Sequence, residues 1–125
     1  MKTAKDYLSR AKKYLALAKK GISYAKKNGK IEYAVNGCDK GWLATVLAVN
    51  ALFIKKGLEP RKLPKTHCGR DHFLIKYGTK ELRRIFGCAR SILHIRGFYD
   101  LDVDYNVIEN VLDDVNEFIK IIEKE

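Results

Sequence analysis

The sequence predicts an all-α protein, an up-and-down four-helix bundle with one additional short helix. Three observations carry this. Apolar residues recur at helical spacing along four long stretches. No strand-like run of any length remains between them. The connections are about 3 to 9 residues long, the range found between neighbouring helices in a bundle. At 125 residues and 14.3 kDa the chain has the length of one domain, residues 1–125. An apolar fraction of 46% with only two prolines and nine glycines is globular and excludes a low-complexity linker.

The first helix is the most regular. Ala4, Leu8, Ala11, Leu15, Ala18, Ile22 and Ala25 alternate steps of four and three and make one narrow apolar stripe. Lys5, Lys12, Lys19 and Lys26 each follow an alanine, and Lys13, Lys20 and Lys27 come next. Small side chains on the stripe allow a neighbouring helix to come close. Asn28-Gly29 then ends the helix. The spacing predicts a second helix over Ile31–Lys56, with Val35, Cys38, Trp42, Thr45, Val49, Leu52 and Phe53 on one face. Gly37 and Gly41 each cost it about 1 kcal/mol against alanine, which points to a close backbone approach or a kink.

Gly57 and the two prolines at 60 and 64 break the chain, and Thr66 caps a short third helix that runs to about Lys76. Gly78-Thr79 is a second break and cap. Glu81–Gly97 then reads as a helix with Leu82, Ile85, Phe86, Ala89, Ile92 and Leu93 inward. Residues 100–104 read as a connecting loop. Asp104 or Asn106 caps a last helix whose face is Ile108, Val111, Leu112, Val115, Phe118, Ile119 and Ile122.

Charge is strongly polarised along the chain. The net charge is +10, but residues 1–30 carry +9 and residues 100–125 carry −7. A basic end and an acidic end suggest that the two termini lie side by side. The excess positive charge predicts attraction to polyanions. The residues for such contact are Lys12, Lys13, Lys19, Lys20, Lys26 and Lys27, interleaved with Tyr7, Tyr14 and Tyr24 as stacking partners for single-stranded nucleic acid. The plainer reading is a solvated helix face with its tyrosines half buried at the rim.

Other constellations are few. The longest nearly uncharged run, Gly41–Ile54, is about 14 residues, too short to span a bilayer. The N-terminus is lysine-rich and lacks the apolar core of a signal peptide. Three widely spaced cysteines make no disulfide framework. A cytoplasmic protein is expected, with no membrane contact. Phosphate-loop, dinucleotide and zinc-finger signatures are absent, so no cofactor is expected. His67, Cys68 and His72 form the tightest group of metal-ligand types, but a structural zinc wants four ligands, and Cys38 and Cys88 would have to complete the set from elsewhere in the fold. No metal is expected.

Arg90 and His94, four apart on the fourth helix, can face one surface. An arginine beside a histidine can hold a phosphate and move a proton near neutral pH, as cleavage of RNA through its 2′-hydroxyl requires. The alternative is an arginine at a bundle edge and a histidine hydrogen-bonded under the following loop.

The run from Ala34 to Phe118, about two thirds of the chain, resembles the HEPN superfamily, and within it the PaREP1-like branch. The resemblance rests on short pieces in the same order. They are Asp39-Lys40-Gly41-Trp42-Leu43-Ala44, Ala51-Leu52-Phe53-Ile54-Lys55-Lys56-Gly57, Lys65-Thr66-His67, Ala89-Arg90-Ser91-Ile92-Leu93-His94 with Phe98-Tyr99-Asp100, and the apolar last helix. It implies a dimeric helical bundle, a minimal nucleotidyltransferase as partner in a toxin–antitoxin module, and RNA as target. Many members are metal-independent ribonucleases that use an arginine and a histidine several residues apart. Here three residues separate Arg90 from His94, closer than that pattern, and Arg70-Asp71-His72 is closer still. A catalytically silent member is the other form this resemblance takes. A structural bundle that acts by dimerisation and partner-protein binding is the alternative function.

Overall fold

The structure, a computed structural model, describes residues 3–125. It is all-helical, with no strand among the described residues. In order the elements are α1 (Ala4–Asn28), α2 (Ile31–Lys55), a 3-10 turn (Pro60–Lys62), α3 (His67–Tyr77), α4 (Lys80–Ala89), which continues as a π-helical segment (Arg90–Tyr99), and α5 (Tyr105–Glu123).

Capping residues set these boundaries. The Thr3 hydroxyl accepts from the Asp6 amide at 3.1 Å and the Asp6 carboxylate accepts from the Thr3 amide at 3.1 Å, a reciprocal capping box. Thr66, Thr79 and Asp104 each accept the backbone N–H three residues on, opening α3, α4 and α5. Gly29 closes α1 in the left-handed region, φ 66°, where its amide donates to Ala25 at 2.8 Å.

α1 and α2 form an antiparallel hairpin across this one-turn link. The backbones meet where side chains are smallest. Gly37 lies against Ala18 and Ile22, and Gly41 lies beside Ala18. A Cβ on Gly41 would stand 2.7 Å from Leu112 and 3.1 Å from Leu93, so glycine here lets α5 and the π segment close on α2. The predicted α1 stripe is the buried one from Leu8 to Ala25, with Ala4 half buried at its edge.

α5 runs antiparallel to α1 and binds it through charge at the rim. Lys12 pairs with Glu123, Lys19 with Asp113 at 3.5 Å, and Lys26 with Glu109 at 3.1 Å. The basic and acidic ends therefore do lie side by side. At the far end Lys55 of α2 donates to the carbonyls of Ile122 and Glu123 at 3.0 and 2.8 Å, satisfying acceptors that the end of α5 leaves open.

α2 is the central element. It is long and apolar enough by length and composition to cross a membrane, longer than the uncharged run in its sequence suggests, yet 67% of its most apolar window is buried in this fold. Its apolar face packs against α1, α5 and the π segment, which is why it needs to be apolar nearly all round.

The fourth stretch departs from its sequence reading. It is α-helical only to Ala89 and then widens. The Asp100 amide donates to the carbonyl of Ile95, five residues back, at 2.9 Å. The segment ends beyond Gly97, at Tyr99, and Leu101 then takes a positive φ of 55°. Arg90 and His94 thus stand on a π-helical segment and not on the regular α-helix assumed from their spacing.

Candidate functional site

Three elements bring a compact group of rings and charges together. Trp42 comes from the middle of α2 and is 7% exposed. His67 is the first residue of α3, placed there by the Thr66 cap. Arg70 and Asp71 follow one turn later. Arg90, His94, Phe98 and Tyr99 come from the π segment.

The His94 ring stacks on Trp42 with centroids 5.1 Å apart and 23° between planes. His67 stands 5.3 Å from His94 and 5.9 Å from Trp42, so the two imidazoles share one aromatic floor. Tyr99 meets His94 edge-on at 5.0 Å, and Phe98 lies nearly parallel to it at 6.5 Å. Arg90 Nη1 donates to both oxygens of Asp71, at 3.1 and 3.2 Å, and its guanidinium lies 5.9 Å from the Phe86 ring.

Two buried polar atoms in the cluster have no hydrogen-bond partner among the described residues, His94 Nδ1 and Arg70 Nε. Orphaned donors and acceptors are costly and rare, and they gather where a ligand or water completes the structure.

The electrostatics follow from this crowding. Desolvation holds His67 below the ordinary imidazole value, with Arg90 and Arg70 adding to the effect and Asp71 opposing it. Desolvation is also the main cause for His94, reinforced by His67, Arg70 and Arg90 and opposed by Asp39. Burial and the neighbouring Arg90 lower Arg70 as well, against Asp71. Both imidazoles are therefore neutral at pH 7, each with a lone pair able to take a proton. An anion entering the cluster would meet two guanidinium groups and would raise both histidines.

Of the predicted pair, both members belong to this cluster, but Arg90 is already engaged by Asp71. Sequence reasoning missed His67, Arg70, Asp71 and Trp42 as members. The signal for His67 was its place just after a capping threonine, where a helix start presents a side chain outward. Its grouping with Cys68 and His72 obscured that. In the fold these three diverge: His67 faces His94, His72 lies against Phe73, and Cys68 is exposed. Cys38 is buried, and burial pushes its thiol up to about 11, so it packs as a small apolar group. Among the described residues no three His, Cys, Asp or Glu side chains gather as metal ligands.

The six lysines divide into two rows. Lys12, Lys19 and Lys26 face the carboxylates of α5. Lys13, Lys20 and Lys27 are exposed and make no ion pair among the described residues. Tyr7 and Tyr14 pack half buried against the core, Tyr14 with the Lys40 ammonium 5.7 Å from its ring, while Tyr24 is exposed. No family model matches the chain, and neither a curated protein nor a solved structure matches it.

Proposed function

We propose that this protein is an RNA- or nucleotide-associated helical bundle of the HEPN type, cytoplasmic, and part of a toxin–antitoxin module. Its finer architecture is then the up-and-down four-helix bundle of α1, α2, α4 with its π segment, and α5, with α3 as the short extra helix. Its partners would be a second copy of itself and a minimal nucleotidyltransferase. Ile95, Tyr99 and Leu101, exposed apolar side chains beside the cluster, offer surface that a second copy would cover.

The observation that carries the reading is the convergence of two imidazoles on Trp42, with Arg70 and Arg90 near enough to act on both electrostatically and with Nδ1 of His94 and Nε of Arg70 left unpartnered. The guanidiniums suit a phosphate and the aromatic floor suits a base. In cleavage, one neutral imidazole would take the proton of the 2′-hydroxyl as its oxygen attacks phosphorus. The bond from phosphorus to the 5′ oxygen would break, and the other imidazole, raised and protonated once the phosphate is bound beside it, would deliver the proton that oxygen needs. Arg90 and Arg70 would stabilise the charge that grows on the phosphoryl oxygens. The products would be a 2′,3′-cyclic phosphate and a 5′-hydroxyl end.

A specific observation favours the structural alternative. The ion pair of Arg90 with Asp71 occupies the arginine within the fold, as expected if the cluster only joins α3 to the π segment. A ribonuclease assay in excess chelator separates the two. His94→Ala and His67→Ala should each lose about 10²-fold or more in rate, the scale of general acid–base catalysis, with circular dichroism unchanged. Wild-type protein that neither cleaves RNA nor binds it, or folded variants that cleave as fast, would leave the interaction bundle as the function.

A further inference from the structure

The outward face of α1 carries Lys13, Leu17, Lys20, Tyr24 and Lys27, at the same alternating spacing as the buried stripe and displaced from it by two residues. All five are exposed. Leu17 and Tyr24 are 43% and 44% exposed, high for large apolar side chains on a regular helix. Tyr33 of α2, also 44% exposed, meets Tyr24 edge-on with ring centroids 4.6 Å apart. Leu17, Lys20, Tyr24 and Tyr33 line one open depression of about 460 Å³. The only acidic residue of α1, Asp6, lies one heptad before Lys13 at the start of the same face, where its carboxylate accepts from the Thr3 amide in the helix cap.

The contrast with the adjacent row decides what this face suits. Each lysine of the inner row is neutralised by α5, and each lysine of the outer row is not. The outer lysines are seven residues apart, about 10 Å along the helix, with the rings between them. Three like charges in a line oppose packing of this face on its own copy about a two-fold axis, where the same residues would meet. They favour a chain that is itself anionic, and exposed rings favour one whose flat groups can stack.

We propose that this face of α1 and α2 is a binding track for single-stranded RNA, with bases on Tyr24 and Tyr33 and phosphates on Lys13, Lys20 and Lys27. It rests on the reading that the protein engages RNA, and it adds a second surface, separate in residues from the histidine cluster.

The test is fluorescence anisotropy with a labelled uridine dodecamer and an abasic strand of the same length. Wild type should bind the uridine strand with a log–log salt slope of about −2, as three neutralised phosphates on a single strand require. K13A/K20A/K27A should flatten that slope and weaken binding at least tenfold, while K12A/K19A/K26A should keep it. Y24A/Y33A should weaken the uridine strand about tenfold and leave the abasic strand unchanged, since stacking needs a base. Equal losses from the two lysine rows, or an unaltered Y24A/Y33A, would overturn the track. So would self-association of the wild type that Y24A/Y33A abolishes, which would assign the face to a second copy. Strand binding through this face without cleavage would leave the track standing and remove the nuclease. Cleavage with unaltered binding in all these variants would do the reverse.

Discussion

Arg90 is held by the Asp71 carboxylate, and the pair is half exposed, so it adds at most about 1 kcal/mol to stability. The histidines beside it bear more on stability through pH. Both are lowered from their ordinary value of 6.5, mainly by desolvation. Between those lowered values and 6.5 the unfolded chain binds more protons than the folded one. Stability therefore falls as pH drops through 6.5 and is unaffected by these groups well above it. Thermal unfolding followed from pH 7.5 to 5.5 should show the melting temperature falling on the acid side. The slope should flatten in His67→Gln with His94→Gln, and an unchanged slope would show that neither imidazole is suppressed. Arg90 and His94 were legible in the sequence because they are four apart. His67 and Arg70 were not, because only the packing of α3 against α2 and the π segment brings His67 to Trp42 and Arg70 close to His94.

At the scale of elements, helix starts were the most legible feature. Thr66, Thr79 and Asp104 are caps by residue type alone, and each is found capping. The two-row division of lysines on α1 was not legible, since both rows look alike until α5 is placed beside one of them. The π widening had no sequence signal either. It coincides with tight packing: a Cβ on Gly97 would lie 2.5 Å from Cys38 Sγ, 2.9 Å from Cys38 Cβ and 3.2 Å from the Ile92 carbonyl. Gly87, one segment earlier within α4, has nothing within 4 Å of that position. Alanine at the two sites should act oppositely. Gly87→Ala gains helix propensity with no clash and should stabilise by about 0.5–1 kcal/mol. Gly97→Ala forces the π segment away from α2 and should destabilise by about 1–3 kcal/mol. Urea unfolding of both variants reads this directly. A Gly97→Ala protein as stable as wild type would mean that the contact with Cys38 is easily relaxed.

For the whole molecule, the opposed charges of the termini and the shared core make the same demand, that α5 be in place for the rest to be stable. Seven of its side chains, Ile108, Val111, Leu112, Val115, Phe118, Ile119 and Ile122, are buried. Burying each is worth about 1.5–3 kcal/mol, so together they supply on the order of 10–20 kcal/mol. That matches or exceeds the entire net stability of a typical domain, about 5–15 kcal/mol. The ion pairs of α1 with α5 are exposed and contribute little beside this; their order along α1 matches the antiparallel course of α5. Without α5, Gly41 would lose the contact with Leu112 that closes the α2 surface, and Phe86 would lose its neighbour Phe118, whose ring centroid lies 6.4 Å away. A chain ending at residue 104 should therefore keep some helix in α1 and α2, which form a local hairpin, but lose a cooperative thermal transition. Circular dichroism should show a broad, non-sigmoidal melt in place of a single step. A sharp two-state transition in that shortened chain would show instead that α1 to α4 hold a core of their own, and that α5 docks on a unit already folded.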